Sequence, residues 1–385
     1  MGDVINFDNA ATTFPKPAVV RNAVAKAVRE LGGNAGRGGH ELAMKSSRAV
    51  YEARETAADF FGAQPENVVF ALNCTHALNM AIQGIMCGGG HLIISHLEHN
   101  ASARPAAELA RKKQIALSIA EVYEEDEKTI ESFRSLICKD TKAIVCTIAS
   151  NVTGRILPYK KIAELCREHN ICFIADGAQA CGLLDIKLSD GINILCTAGH
   201  KGLYGITGTG LLISDGKFKI SPIIQGGTGS SSSSLRQPDF LPDSLESGTL
   251  NIVGAVSVMA GIKYVNKIGR EKILRHEDKI CERFIRELSG NDNITVYRSP
   301  LCRYVPIVSF NIGGIMPEEA AELLSKKGYG LRAGFHCAAL AHDYLGTENG
   351  TIRFAPSVFS TEADAAALAN SIKYIANRNK LQKNY

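Results

Sequence analysis

A carboxylate and a lysine each follow an apolar run that is long enough to form a buried strand. Asp176 ends the run CFIAD, and Lys201 follows the run ILCTA after Gly199 and His200. Ligands bind outside the carboxyl ends of strands in open parallel sheets, so both side chains are expected at a binding site. A lysine held among small residues there can have a lowered pKa and form a Schiff base. Taken singly, Asp176 would more often cap a helix, and Lys201 would more often be a solvated loop residue.

Together, Asp176 and Lys201 are the two side chains that a pyridoxal phosphate (PLP) site requires, one for the ring nitrogen and one for the imine. The phosphate needs an anion site, and the turn Asn73–His76 opens a helical pattern directly after the run VVFA. Helix amides and the Thr75 hydroxyl could bind it there, although Thr75 could equally be an ordinary N-cap. His99 follows the run HLIIS at the same expected edge and could stack on the ring, whereas an isolated histidine is more often a surface residue.

A candidate nucleophile lies in the segment Arg332–Cys337, which reads RAGFHC. Cationic neighbours favour the thiolate, so Arg332 and His336 are expected to activate Cys337. For any one of eleven cysteines, a structural role is the safer interpretation. Arg353 lies in the strand-like run GTIRF, where an unpaired buried guanidinium would be costly. An incoming carboxylate is therefore a plausible partner for Arg353.

The elements that must position these residues alternate between apolar strands and amphipathic helices, which predicts a parallel sheet covered on both faces. The predicted strands are Val68–Ala71, His91–Ser95, Ala143–Ile148, Cys172–Ala175, Ile194–Thr197 and Gly210–Ser214. The helical patterns between them are Thr75–Gly84, Ser102–Lys113 and Tyr159–Glu168. Later come a long helical pattern from Asn251 to about Leu288, strand-like Val305–Asn311, helix Pro317–Lys327 and helix Thr361–Asn377. A Gly- and Ser-rich stretch at 226–238 is equally compatible with a flexible loop and a functional one.

The composition excludes several classes of protein. The chain has 385 residues, of which 45% are hydrophobic and 21% charged, as in ordinary globular proteins and unlike disordered or fibrous ones. The net charge of +4 is too small to indicate nucleic-acid binding. No apolar run is long enough for a membrane span, and no secretory signal is visible. The eleven cysteines form no C-x-x-C pair, which argues against a metal site or a disulfide framework and favours a reducing cytoplasm.

Over essentially its whole length the chain resembles the cysteine desulfurases, in the class V branch of fold-type I PLP enzymes. The resemblance implies an α/β fold whose large domain, expected at 15–250, has a mainly parallel seven-stranded sheet covered by helices. A small α+β domain is expected at 1–14 and 251–385, and it would carry the catalytic cysteine loop. The opening segment Phe7–Ala11 resembles the family's Asp-x-Ala-Ala motif, and Asn34–His40 resembles its Arg-Gly-x-His loop.

The cofactor residues implied by the resemblance match motif by motif. Asp176 and Gln179 fall on Asp-Gly-Ala-Gln, whose Asp meets the ring nitrogen and whose Gln meets the 3′-oxygen. His200 and Lys201 fall on Gly-His-Lys, and Thr249 falls on Glu-x-Gly-Thr-x-Asn, whose Thr reaches the phosphate of the other subunit. The remaining implied cofactor contacts are Cys74 and Thr75 of the phosphate turn, His99 on the ring face and Asn151 beside the ring.

The implied catalytic residues are Lys201, Cys337 and His99, and the implied substrate-binding residues are Arg353, Asn151, Arg332 and His40. The segment with Arg332 and Cys337 matches Arg-x-Gly-x-His-Cys, the form found in group II desulfurases with a short catalytic loop. Two positions depart from the family pattern: the phosphate turn reads Cys74-Thr75-His76, and Ala198 replaces a usual Ser or Thr. The phosphate site is therefore expected to lack one hydroxyl, for which Thr197 or His76 would compensate.

The implied activity is the conversion of L-cysteine to L-alanine, with the sulfur taken up by Cys337 as a persulfide. The implied assembly is a homodimer that passes sulfur or selenium to an acceptor protein or small thiol, without a metal. The nearest alternative is selenocysteine lyase activity on the same scaffold. A class V aminotransferase, in which Cys337 would be idle, is less favoured, and a non-enzymatic PLP-bearing scaffold least of all.

Overall fold

The computed structural model describes residues 4–36 and 38–383, so Arg37 of the expected 34–40 loop lies outside the described residues. The strands are β1 Ile5–Asn6, β2 Val68–Ala71, β3 His91–Ser95, β4 Ala116–Ala120, β5 Thr141–Thr147, β6 Cys172–Asp176, β7 Ile194–Ala198, β8 Gly210–Ser214, β9 Ile294–Val296, β10 Val308–Ile312, β11 Tyr329–Gly330, β12 Arg332–Gly334 and β13 Thr351–Phe354. The helices are α1 Ala18–Glu30, α2 Glu41–Phe61, α3 Cys74–Met86, α4 Asn100–Arg111, α5 Asp126–Leu136, α6 Tyr159–Glu168, α7 Ile252–Ile268, α8 Arg270–Leu288, α9 Pro317–Ser325, α10 Ala339–Leu345 and α11 Glu362–Lys383. Two short 3₁₀ helices are Pro65–Asn67 and Leu188–Asp190.

The largest sheet has seven strands, in the order β2-β8-β7-β6-β5-β3-β4. Strands β3 to β7 run parallel, and β8 is antiparallel to both of its neighbours. Strands β3, β5, β6, β7 and β8 are almost entirely buried, as expected when helices cover both faces of a sheet. The prediction of a mainly parallel seven-stranded sheet is confirmed.

The register of the central strands brings their carboxyl ends to one edge. Thr147 at the end of β5 lies beside Asp176 at the end of β6, and Asp176 lies beside Cys196 near the end of β7. Helix α3 begins at the same edge, where the Asn73 side chain accepts a hydrogen bond from the His76 amide at 2.9 Å. This N-cap satisfies one of the amides that a helix leaves unpaired at its start.

A second sheet has four antiparallel strands, in the order β12-β13-β10-β9, and lies in the part of the chain predicted as a small domain. Helices α8, α9 and α11 pack on it, and buried Phe284, Phe310 and Phe354 belong to one apolar cluster. The N-terminal strand β1 pairs with β11, which joins the first residues of the described chain to this domain.

The pattern predicted as one long helix from Asn251 to Leu288 forms two helices, α7 and α8. Gly269 separates them with a φ of +93°, a conformation that side-chain-bearing residues rarely adopt. Helix α7 packs against α1 and α2, and its buried Val258 and Ile262 belong to the core beneath the large sheet. The domain boundary near residue 250 stays a prediction. No helix among the described residues is both long and apolar enough to cross a membrane.

Candidate active site

A cavity of about 210 Å³ lies at the carboxyl ends of the central strands. It brings together ten of the predicted site residues, among them His99, Asn151, Asp176, Gln179, Lys201 and Arg353. Cys74, Thr75, His200 and Arg332 also line it. Residues from distant parts of the chain therefore meet at the edge where the strand pattern placed Asp176 and Lys201.

Asp176 is the buried anion of the cavity, with 3% of its surface exposed. Its Oδ1 accepts hydrogen bonds from the Ala178 amide at 2.9 Å and from Cys74 Sγ at 3.4 Å. No lysine or arginine within the described part of the chain forms an ion pair with it. A buried carboxylate without a cationic partner is a suitable site for a protonated nitrogen from a ligand.

Lys201 lies in a tight turn directly after β7. The turn closes through a hydrogen bond from the Gly205 amide to the Gly199 carbonyl at 2.7 Å. A Cβ on Gly199 would lie 2.3 Å from Thr209 Oγ1, so only glycine fits at this position. Burial lowers the pKa of Lys201, which favours the neutral amine that can attack a carbonyl or accept a proton.

The anion site opens at the N-terminus of α3, where Cys74 and Thr75 are the first two helical residues. Ala198 lines the cavity and has no hydroxyl to donate to a phosphate. The expectation that Thr197 would compensate is wrong, because it alternates to the other face of β7 and its hydroxyl donates to the Gly177 carbonyl. His76 does not line the cavity either, and its Nδ1 accepts from the Leu72 amide at 3.2 Å.

His99 caps the start of α4 at the mouth of the cavity. Its Nδ1 accepts a hydrogen bond from the Ala101 amide at 2.9 Å, so the ring proton of the neutral form is on Nε2. Burial lowers the pKa of His99 to about 4, although the negative charge of Asp176 acts to raise it. The ring is therefore uncharged at neutral pH. His200 also lines the cavity, and burial lowers its pKa to about 4.

Two amide side chains, those of Asn151 and Gln179, line the cavity. Asn151 Nδ2 donates to the His336 carbonyl at 2.7 Å, while its Oδ1 is buried without a partner. Gln179 Nε2 donates to the Ala10 carbonyl at 3.0 Å and so joins the N-terminal segment to the site. A buried acceptor without a partner is costly, so Asn151 Oδ1 is suited to accept a hydrogen bond from a ligand.

Cys337 is exposed on the wall of a groove of about 660 Å³ that shares Thr75, His99 and Ala101 with the cavity. Arg332 Nη2 lies 3.3 Å from Cys337 Sγ. The Asn100 amide donates to the Cys337 carbonyl at 2.7 Å and fixes the loop against α4.

The loop of the cysteine is held in an unusual backbone conformation. His336 and Cys337 have φ values of +49° and +57°, a region that residues with side chains seldom occupy. His336 Nε2 lies 2.9 Å from the Thr351 carbonyl and therefore carries the proton. The expectation that His336 would be a cationic neighbour of the thiol is wrong, because burial lowers its pKa to about 2. Arg332 alone supplies positive charge to the sulfur within this loop.

Arg353 is 1% exposed and has a carboxylate partner within the protein. Its Nη2 donates to Asp8 Oδ1 and its Nη1 to the Asn151 carbonyl, while Nε is buried without a partner. The expectation of an unpaired guanidinium is therefore wrong, although one nitrogen stays free. Sequence reasoning noted Asp8 only as part of a motif, and no local signal links it to Arg353.

Two predicted site residues lie away from the cavity of their own chain. Thr249 is exposed, between Glu246, which forms a buried ion pair with Arg54 at 2.8 Å, and Asn251, which caps α7. These anchors hold the segment with Thr249 directed outward. His40 is exposed at the start of α2, where its ring accepts a hydrogen bond from the Ala43 amide.

The residues of the cavity fit PLP in three respects. An unpaired carboxylate, Asp176, suits a protonated ring nitrogen, and the start of α3 suits a phosphate. Lys201 has a lowered pKa and is suited to bind a carbonyl group. No group of three or more His, Cys, Asp or Glu side chains in the described part of the chain is arranged to hold a metal ion.

Comparisons with known proteins show the family of the chain. The family model for class V aminotransferases matches residues 5–368. A probable cysteine desulfurase from Pyrococcus abyssi is 30% identical over 374 residues, covering 93% of this chain and 91% of its own. A probable cysteine desulfurase from Methanothermobacter thermautotrophicus is 29% identical over 96% of this chain and 94% of its own. The apo structure of a cysteine desulfurase from Thermococcus onnurineus NA1 superposes with a TM-score of 0.90 at 28% identity, covering 97% of this chain and 95% of that one. The chain therefore belongs to the class V aminotransferase family of PLP-dependent enzymes, in its cysteine desulfurase group.

Proposed function

We propose that this enzyme removes sulfur from L-cysteine, releases L-alanine and holds the sulfur on Cys337 as a persulfide. One observation carries the proposal: Cys337 is an exposed thiol hydrogen-bonded to Arg332, in a groove that shares its walls with the cavity of Asp176 and Lys201. An aminotransferase has no use for a thiol at this position. The names of the relatives support the same activity.

Asp176 and Lys201 would do the acid–base work. Bound PLP supplies an electron sink that stabilises negative charge on the substrate's α-carbon. Asp176 holds a proton at the ring nitrogen, because its own charge has no other partner. Lys201, with its lowered pKa, takes the α-proton and is positioned to return it. His99 is neutral and can donate from Nε2.

Cys337 would do the sulfur chemistry. Its thiolate attacks the substrate's sulfur, a sulfur–sulfur bond forms, and the bond from that sulfur to the β-carbon breaks. The electron pair of the broken bond stays with the three-carbon fragment, which becomes alanine after protonation. Arg353 Nε and Asn151 Oδ1, both without partners, would hold the substrate's carboxylate and amino ends near the thiol.

The working assembly would be a homodimer in the cytoplasm that gives its sulfur to an acceptor protein or a small thiol. The exposed Thr249, fixed by Glu246 and Asn251, is suited to reach the phosphate site of the other subunit. Because Ala198 and Thr197 give the phosphate no hydroxyl, a donor from the partner subunit has a clear role. All eleven cysteines are free thiols, which supports a reducing compartment.

The proposal is tested by product analysis. The PLP-loaded protein is mixed with cysteine and excess dithiothreitol, which reduces the persulfide and releases its sulfur as sulfide. Alanine, 3-mercaptopyruvate and sulfide are measured, with selenocysteine in parallel. Alanine and sulfide in equal amounts are expected. 3-Mercaptopyruvate with an aminated cofactor would indicate an aminotransferase, and turnover of selenocysteine alone would indicate a lyase specific for selenium. Borohydride reduction should fix the cofactor on a peptide that contains Lys201, and a label on another lysine would contradict the assignment.

A further inference from the structure

Cys74 connects the two ends of the cofactor cavity. It is the first residue of α3, so its amide lies at the anion site, while its thiol points to Asp176. The desulfurase pattern usually has Thr or Ala at this position. Within the described part of the chain, no other side chain forms a hydrogen bond to the carboxylate of Asp176.

The two hydrogen bonds to Asp176 meet at the same oxygen. The Ala178 amide approaches Oδ1 at 2.9 Å and Cys74 Sγ approaches it at 3.4 Å, a normal distance for a thiol donor. The described residues form no hydrogen bond to Oδ2. The pair therefore fixes the rotation of the carboxyl group and leaves one oxygen for a ligand.

The thiol of Cys74 remains protonated and can act only as a donor. The pKa of Cys74 is raised well above its ordinary value, mainly because the thiol is buried and secondly because Asp176 is negatively charged. An S–H group is a weak donor, so it orients the carboxylate while withdrawing little of its charge. A serine hydroxyl at this position could donate to the same oxygen, so serine is expected to hold the carboxylate in the same orientation.

We propose that Cys74 is a positioning residue, whose thiol fixes the carboxylate of Asp176 for the ring nitrogen of the cofactor. The inference rests on the PLP site of the proposed function. It assigns to this cysteine a role in holding the ring, beyond the phosphate turn in which it lies. This role requires the ring nitrogen. Cys74 should therefore have no effect on the binding of a cofactor analogue that lacks this nitrogen.

The test compares PLP with its 1-deaza analogue, in which a carbon replaces the ring nitrogen. Dissociation constants of both compounds are measured for the full-length wild-type protein and for Cys74→Ala, Cys74→Ser and Cys172→Ala. Cys172→Ala removes a buried thiol at the other end of the same strand as Asp176. We expect Cys74→Ala to weaken PLP binding about 5-fold. Binding of the analogue should not change, and Cys74→Ser should restore PLP binding.

The outcomes separate this inference from the proposed function. Equal weakening of PLP and the analogue by Cys74→Ala would indicate a merely structural role and overturn the inference. Unchanged PLP binding in Cys74→Ala would overturn it as well. If the wild-type protein bound neither compound, the proposed function itself would fail. Circular dichroism of each variant verifies that the fold is intact, and Cys74→Val, which is close to the thiol in size and has no donor, replaces Cys74→Ala if the alanine variant is unstable.

Discussion

Arg353 Nη2 donates a hydrogen bond to Asp8 Oδ1 at 2.8 Å, joining a strand near the C-terminus to the N-terminal segment. The guanidinium is almost fully buried, and its second contact is the Asn151 carbonyl at 2.9 Å. A substrate carboxylate that binds Arg353 must therefore share its charge with Asp8. We expect the substrate affinity of the enzyme to depend on this competition.

Replacing Asp8 with asparagine should lower the KM for cysteine. The amide oxygen can still accept from Arg353, but the competing negative charge is removed. We expect a decrease of about 5-fold, equivalent to roughly 1 kcal/mol. Steady-state kinetics measure it, with Asp292→Asn as a control in an exposed loop. A KM that rises would show that the charge of Asp8 is needed to hold Arg353 in place.

Arg332 should control the reactivity of Cys337. Arg332→Gln removes the cation that contacts the sulfur, so alkylation of Cys337 by iodoacetamide at neutral pH should slow about 10-fold. Arg104 lines the same groove and forms no ion pair with a described residue, so Arg104→Gln is the matched control. An unchanged alkylation rate in Arg332→Gln would mean that another group stabilises the thiolate.

The strand pattern predicted most of the large sheet, because strands buried on both faces are apolar throughout. The bounds Val68–Ala71, His91–Ser95 and Gly210–Ser214 were predicted without error. Strand β4 was missed, because it lies at the edge of the sheet and only its last residue, Ala120, is buried. Because most of its side chains are partly or fully exposed, β4 lacks the continuous apolar run that identified the other strands of this sheet, including β2 at the opposite edge.

The types of the site residues were visible in the sequence, but their partners were not. Asp176 and Lys201 follow buried strands, so their edge of the sheet was predictable. The pairing of Asp8 with Arg353 depends on how the N-terminal segment docks on the small domain. The neutral state of His336 depends on its burial, which no local pattern shows.

Glu98 should make the stability of the protein depend on pH. Its carboxyl group is buried and accepts hydrogen bonds from Ser95 Oγ and the Thr147 amide, both at 2.6 Å. Burial raises the pKa of Glu98 to about 8 from an ordinary 4.5. Between pH 4.5 and about 8, Glu98 holds a proton in the folded protein that it has lost in the unfolded chain. The free energy of unfolding therefore falls as the pH rises through this range.

Urea unfolding of the wild type and Glu98→Gln measures this effect. Between about pH 6.5 and 8, the free energy of unfolding of the wild type should fall by roughly 1 kcal/mol per pH unit more than that of the variant. Glutamine cannot ionise and keeps an acceptor for the Thr147 amide. Parallel curves for the two proteins would show that Glu98 is already ionised in the folded state.

Thr249→Ala should weaken PLP retention by acting on the other subunit of the dimer. A lost hydrogen bond to a charged group costs about 1.5–3 kcal/mol, so the dissociation constant should rise at least 10-fold. Thr295→Ala, on the exposed side of β9, is the control. Sedimentation should show a dimer for all three proteins. A fully active monomer of the wild type would refute the role of Thr249 across the interface.

Turnover of selenocysteine should depend less on Cys337 than turnover of cysteine does. A selenol is more acidic than a thiol and is held by a weaker bond to carbon, so selenium can leave with less help from a nucleophile. Cys337→Ala should therefore retain a measurable fraction of any selenocysteine activity. Alanine release from selenocysteine by the variant and the wild type measures this fraction. Complete loss for both substrates would show that Cys337 is needed before the bond to sulfur or selenium breaks.

The central claim is that Cys337 takes the sulfur, and the most direct test is alanine release from cysteine by Cys337→Ala. Cys138→Ala, which removes another exposed thiol, is the control. We predict that Cys337→Ala keeps the absorption spectrum of bound PLP but loses almost all alanine release. The control should retain wild-type activity and a persulfide on Cys337, detectable by mass spectrometry. Alanine release by Cys337→Ala at a rate near that of the wild type would contradict the account.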